Sequence, residues 1–291
     1  MSIQSLILRW SSARSDRERD REIPFPKGVS TCCNISYGPN GPDNLLDVYF
    51  PNGTSQPLPT IVSIHGGGYV YGNKEIYKRY CMDLARRGFA VVNFNYRLAP
   101  RWRFPAPLED TTAVLNWITQ NAESYHLDPA RILLVGDSAG AQIACQYAAI
   151  ATNPAYASLF AFRIPDSIRI RALGLNCGFY DVHAFIGKRI KGLARDYLGF
   201  KIHPDDPRLD VMGAITADYP PTYIATAHHD FLKEHANPMY NFLMGKKIKC
   251  AGMCYGSKDD DYVGHVFHVN IELLDAIRCN DDECAFFRRC L

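Results

Sequence analysis

The stretch from Arg131 to Gly140 constrains this chain more than any other. An apolar run, Arg131-Ile-Leu-Leu-Val135, ends in Gly136-Asp-Ser-Ala-Gly140, and a helix-like segment, Ala141 to Ile150, follows at once. A strand that turns into a helix within five residues needs glycine where the backbones pass closely, and it leaves Ser138 exposed at the apex of the turn. A second apolar run, Thr60-Ile-Val-Ser-Ile64, closes on His65-Gly-Gly-Gly68. One motif supplies a hydroxyl. The other supplies backbone N–H groups that no side chain shields.

From residue 60 onward, strand-like and helix-like segments alternate. The strand 60–64 leads to a helical pattern over 74–87, which Gly88 stops. Strands over 89–94, 131–135, 168–176, 222–227 and 249–255 follow, with helices over 108–123, from 139, over 233–243 and over about 270–289. This alternation predicts an α/β fold with a mostly parallel central sheet, helices on both faces, and a ligand site beyond the carboxyl ends of the strands. Residues 35–50 read as two strands about the turn from Gly38 to Pro42. Residues 180–217 break the rhythm. They carry a helical pattern from Ala184 to Leu198 and then Pro204-Asp-Asp-Pro207, and they read as an insertion over the active face. Near the start, Ala13 to Glu22 reads as a solvated helical arm ended by Pro24 and Pro26, with Glu18 and Arg21 spaced to pair.

With 291 residues, 47% of them hydrophobic, the chain is long enough for one large core. A formal charge of +2 and no basic stripe argue against a nucleic-acid partner. No stretch reaches the roughly 18–20 apolar residues of a membrane span. Met1 to Trp10 lacks the long apolar core of an export leader, so the expected location is cytoplasmic. Most of the ten cysteines sit inside apolar patterns and are expected as reduced thiols. Their spacing lacks two tight ligand pairs, so no structural metal is expected.

A serine nucleophile needs a base, and the base needs an acid to orient it. Asp230, just past the strand 222–227, is the favoured acid, with Asp181 the second choice. His265 and His268 both follow the strand 249–255 and both qualify as base. The amides of Gly67, Gly68 and Ala139 are placed to hold a developing oxyanion. A phosphate loop is disfavoured, because Tyr69-Val-Tyr71 stands where a lysine and a hydroxyl residue are needed. His65 reads as a hydrogen-bonded anchor of its loop.

Four segments together resemble the hormone-sensitive lipase-like family of α/β-hydrolase esterases. They are His65-Gly-Gly-Gly68, Tyr96-Arg-Leu-Ala-Pro100 with Phe104-Pro-Ala106, Gly136-Asp-Ser-Ala-Gly140, and the late Asp and His. The likeness runs from about residue 40 to the C-terminus. It implies an α/β-hydrolase fold in a single domain over 1–291, with a helical cap from about 1–30 and about 180–217. It implies Ser138, Asp230 and His265 as the triad and Gly67, Gly68 and Ala139 as the oxyanion hole. No cofactor or metal is implied; the partners implied are a small-molecule ester and, as in many relatives, a second copy in a homodimer. The implied activity is a carboxylesterase for short-chain, acetyl-type esters working through an acyl-enzyme. A deacetylase of sugars or xylan and an amidase on the same triad are the alternatives. A ligand-binding protein on a hydrolase scaffold is the non-enzyme alternative, and the presence of His265 argues against it. By the same resemblance, Tyr96, Arg97 and Asp137 support the site. Two departures stand out: His265-Val266-Phe267 where the family has His-Gly-Phe, and Asp230-Phe231-Leu232 where it has Asp-Pro-Leu.

Overall fold

The structure is a computed structural model that describes residues 1–182, 191–200, 202–203 and 205–291. Its strands are β1 (Val29–Ser36), β2 (Leu45–Pro51), β3 (Leu58–Ile64), β4 (Ala90–Phe94), β5 (Leu127–Asp137), β6 (Ile170–Asn176), β7 (Thr222–Ala227) and β8 (Cys250–Tyr255). They form one sheet in the order β1-β2-β4-β3-β5-β6-β7-β8. β2 pairs antiparallel with both β1 and β4, and the remaining pairings, from β4 to β8, are parallel. Helices α1 (Ile3–Asp20), α2 (Lys78–Arg86), α3 (Ala106–Asn121) and α4 (Ala139–Thr152), a helix over Ala236–Gly245 and a C-terminal helix over Leu274–Arg288 complete the frame.

The continuous apolar runs of β3, β4 and β5 follow from burial on both faces, as parallel strands under helices require. Two buried clusters flank the sheet: α3 and α4 contribute to one, α2 and the C-terminal helix to the other. The chain leaves β3 to build β4 on one side and later returns to build β5 on the other. That reversal opens a crevice at the carboxyl ends of β3 and β5. Ile64 pairs with Gly136 across it, so the glycine run and the serine turn emerge side by side.

The structure adjusts several expected boundaries. α1 begins at Ile3, far ahead of the expected arm, because Ser2 caps it: Ser5 N–H donates to Ser2 Oγ at 3.2 Å. Glu18 pairs one turn back with Arg14 rather than with Arg21. The arm is also more than a solvated face, since one edge of it lines a cavity described below. β1 starts at Val29, earlier than the expected 35, and β5 extends from Leu127 to Asp137. The predicted helix from Ala184 is described only over Lys191–Leu198; its earlier part and Pro204 lie outside the described residues.

α1 and the helix Lys191–Leu198 pack on each other above the carboxyl ends of the strands. Asp196 accepts hydrogen bonds from Ser2 N–H (2.6 Å) and Ser5 Oγ (2.7 Å), and Gln4 Oε1 accepts from Gly192 N–H (2.7 Å). Tyr197 stacks flat on Tyr69 at 3.6 Å, which ties this layer to the loop after β3. No described helix is long and apolar enough to cross a membrane.

One buried acid lies on the opposite side of the sheet from α4. Glu283 of the C-terminal helix is fully buried, and its Oε1 accepts from Asn176 Nδ2 at 3.0 Å. Burial pushes its pKa up to about 7. Such an acid keeps its proton in the folded chain after the unfolded chain has lost it. Stability therefore falls as pH rises from the ordinary glutamate range to about 7 and is level above that. Glu283→Gln keeps the acceptor and removes the ionisation. The expected result is a Tm gain of several degrees over wild type at pH 8 and almost none at pH 5, read by differential scanning fluorimetry.

Candidate active site

The serine turn is built by close packing. A Cβ on Gly136 would lie 2.3 Å from Gly140 O, and one on Gly140 would lie 2.0 Å from Ile64 O. Only glycine fits where the turn crosses itself and the end of β3. Between them Ser138 takes φ 52° and ψ −117°, a conformation disfavoured for a side-chain-bearing residue and held by its surroundings. Its N–H donates to Asn176 O at 3.0 Å, and helix α4 starts at the next residue. The helix's N-terminal end thus points at the hydroxyl.

Asp230 and His265 arrive from the far end of the sheet. Beyond β7 and β8 the two loops stay together through a parallel bridge between His229 and Gly264. His265 Nδ1 lies 2.7 Å from Asp230 Oδ1, and His265 Nε2 lies 3.1 Å from Ser138 Oγ. A carboxylate only accepts, so Nδ1 carries the proton and donates to Asp230; Nε2 is then left to accept from the serine hydroxyl. Asp230 is buried and also accepts from Leu232 N–H and Thr226 Oγ1, each at 2.9 Å. Burial alone raises its pKa, but the hydrogen bond and charge of His265, with those two donors, outweigh it and hold the carboxyl below its ordinary value.

Of the alternatives that sequence left open, the structure brings Asp230 and His265 together with Ser138. His268 is buried three residues on, edge-on to Tyr80 at 5.2 Å, with no hydrogen-bond partner for either ring nitrogen among the described residues. Burial lowers its pKa to about 3, so it is neutral. Asp181 is exposed beyond β6, and it is Asp230 that bonds the imidazole.

The glycine run folds into a turn closed by Gly67 O, which accepts from Val70 and Tyr71 N–H. Gly67 has φ 107°, and a Cβ there would lie 2.2 Å from Tyr71 O. The amides of Gly67 and Gly68 border the same cavity as Ser138 and His265. His65 anchors the loop: it is buried, stacked on Tyr96 at 4.1 Å, and bonded through Nδ1 to Gly66 O at 2.8 Å. Burial lowers its pKa to about 4, so it too is neutral. Tyr77 ties the two motifs, accepting from Gly66 N–H (3.1 Å) and donating to Asp137 Oδ2 (2.8 Å). Burial pushes Asp137 up to about 7.

A cavity of about 790 Å³ opens over these groups. Leu8 of α1 and Leu193 of the neighbouring helix close over the glycine run; a Cβ on Gly68 would meet their Cδ2 atoms at 2.7 and 3.0 Å. Ser11, Ser12, Ser15 and Asp16 of α1 line another part of the wall, with Asp16 accepting from Tyr71 Oη at 2.8 Å. Phe231, at the position of the missing proline, lays its ring 4.1 Å from that of His265. Among the described residues, one group of three metal-capable side chains converges: Cys177, Asp230 and His265, with ligand atoms within 4.8 Å of one another. Asp230 and His265 are already bonded to each other. Sequence reasoning missed Cys177, Phe231, Leu8 and Leu193, because nothing local marks a packing residue that happens to meet a remote loop. The assembled parts can deprotonate a serine hydroxyl and offer backbone donors beside it, which is the equipment of acyl transfer.

Comparison with known proteins agrees with this fold. A family model described as alpha/beta hydrolase fold matches residues 61–268. The acetyl esterase of Salmonella typhi is 29% identical over 250 residues, covering 79% of this chain and 72% of that protein. Tributyrin-phosphonate-inhibited esterase B from Lactobacillus rhamnosis superposes with a TM-score of 0.89 at 22% identity, covering 97% of this chain and 92% of the other. A hyperthermophilic esterase from Pyrobaculum calidifontis superposes at 0.77 with 22% identity, covering 99% and 94%. At these identities the two superpositions speak for the fold.

Proposed function

The chain belongs to the alpha/beta hydrolase family, and on that premise we propose that it is a serine carboxylesterase acting on short-chain, acetyl-type esters. The observation that carries this reading is the continuous relay from Asp230 through His265 to Ser138. Its four sequence segments support a place among the hormone-sensitive lipase-like esterases. In the proposed reaction His265 takes the Ser138 proton as Oγ attacks the ester carbonyl. The amides of Gly67, Gly68 and Ala139 stabilise the oxyanion, and Asp230 stabilises the imidazolium. His265 then protonates the departing alcohol, and water releases the acid by the same steps in reverse order. Residues 1–30 and about 180–217 serve as the cap. Stoichiometric labelling of Ser138 by a fluorophosphonate, with turnover of p-nitrophenyl acetate, is the expected result. An unlabelled, inactive protein would instead favour the ligand-binding alternative.

The short acyl limit is supported by Leu8 and Leu193, which fill the space over Gly68. Leu193→Ala lengthens that space by most of a side chain. The expected result is a rise of about 10-fold or more in the hexanoate-to-acetate ratio of kcat/KM, since accommodating even one further methylene is worth roughly 1–3 kcal/mol.

A sugar-ester deacetylase on the same residues is the second reading, favoured by one observation. Ser11, Ser12 and Ser15 turn a hydroxyl-bearing helix face to the cavity, a surface suited to a polyol leaving group. A glucose acetate turned over faster than p-nitrophenyl acetate would decide for it.

A further inference from the structure

We propose that Cys177 is a positioning residue that clasps the base loop to the end of β6, beside Asp230. This inference rests on the reading of Ser138, His265 and Asp230 given above. Cys177 is the first residue after β6 and is 1% exposed. Its N–H is fixed by Ala225 O at 2.7 Å, so its side chain is anchored to the sheet. Its Sγ accepts from Val266 N–H at 3.4 Å and lies within 4.8 Å of the Asp230 carboxylate and the His265 ring. Burial, then the charge of Asp230, pushes the thiol pKa well above its ordinary value. The thiol therefore stays neutral beside Asp230 while accepting from the residue next to His265.

Both ends of this contact are strained. Cys177 has φ 48° and Val266 has φ 63°, in the left-handed region that side chains rarely adopt. For a β-branched residue such a backbone is a clear outlier, and it persists only where the surroundings hold it. The Val266 N–H is the one next to the imidazole-bearing residue, so its bond to sulfur fixes the direction in which His265 leaves the loop. The sulfur thus compensates for the side chain at 266. A glycine there adopts positive φ without help.

The consequence is a coupling between two positions 89 apart in sequence. Cys177→Ala is expected to lower kcat for p-nitrophenyl acetate by about 10-fold with KM within about 2-fold, as for other residues that orient a catalytic group. In a Val266→Gly background the same substitution is expected to cost less than about 2-fold, because the loop no longer depends on the thiol. Cys177→Ser, which keeps a donor and an acceptor, is expected to recover most of kcat. Active-site titration with a fluorophosphonate normalises each rate to folded enzyme. If Cys177→Ala proves insoluble, Cys177→Gly, which also removes the sulfur acceptor and tolerates the positive φ, is compared in the two backgrounds instead. Equal losses in both backgrounds, or no loss in kcat, overturn the clasp. A wild-type protein that is not labelled overturns the underlying assignment instead.

Discussion

Replacing Ser138 with alanine is expected to lower kcat for a p-nitrophenyl ester by about 10⁴-fold or more, while Tm and the far-UV spectrum stay as in wild type. The loss corresponds to about 5 kcal/mol of transition-state stabilisation. Structure should be spared because, among the described residues, the Ser138 hydroxyl bonds only His265 Nε2, at 3.1 Å. The backbone of the turn is held by Gly136, Gly140 and the bond from Ser138 N–H to Asn176 O, all of which alanine keeps. Residual catalysis above the rate in water would come from the oxyanion donors. Turnover at more than a tenth of the wild-type rate, measured on protein freed of contaminating esterase, would reject Ser138 as nucleophile.

Asp230→Asn is the second large effect, expected at about 10³-fold in kcat with KM little changed. The structure explains why it should be milder than loss of the nucleophile. Asp230 Oδ1 faces two obligate donors, His265 Nδ1 and Leu232 N–H, whereas Oδ2 faces Thr226, whose hydroxyl can also accept. An asparagine fits with its oxygen at the Oδ1 position and its NH₂ toward Thr226. The imidazole then keeps its tautomer and loses only the charge that stabilises it when protonated. The variant should also lose a pH-dependent part of its stability. The wild-type carboxyl has a depressed pKa, so its contribution is full above the ordinary carboxylate range and disappears as pH falls through it. The Tm difference between wild type and Asp230→Asn should therefore shrink as pH is lowered below about 4. A difference independent of pH, or an unchanged kcat, would remove Asp230 from the relay.

Much of the site was legible because its logic is local. Strand, Gly136-Asp-Ser-Ala-Gly140 and helix are contiguous, and the glycine run closes its own strand. Asp230 could be ranked above Asp181 from its place after β7. The choice between His265 and His268 could not be made from spacing, since both follow β8 and stand three residues apart. The turn at Val266, with φ 63°, leaves His265 beside Ser138, and the 3₁₀ turn Phe267–Val269 buries His268 against Tyr80. α1 was half visible for a different reason. Its apolar residues Ile3, Leu6, Ile7 and Trp10 are exposed, while Ser2 and Ser5 are buried against Asp196. That reverses the pattern by which an amphipathic helix is recognised. Cys177 carries no local signal at all, since a cysteine ending an apolar strand looks like packing until the loops at 230 and 266 close around it.

The pairing of Ile64 with Gly136 has a consequence for how the protein acquires its activity. Hydroxyl and amide donors are brought together only when the middle of the sheet zips, across a long intervening stretch of chain, and parallel pairings of that kind form slowly. A nascent or partly refolded chain with native-like helices is therefore expected to be unreactive toward phosphonates. Regain of labelling after dilution from denaturant is thus a clock for completion of the central sheet, set by its most distant join rather than by collapse.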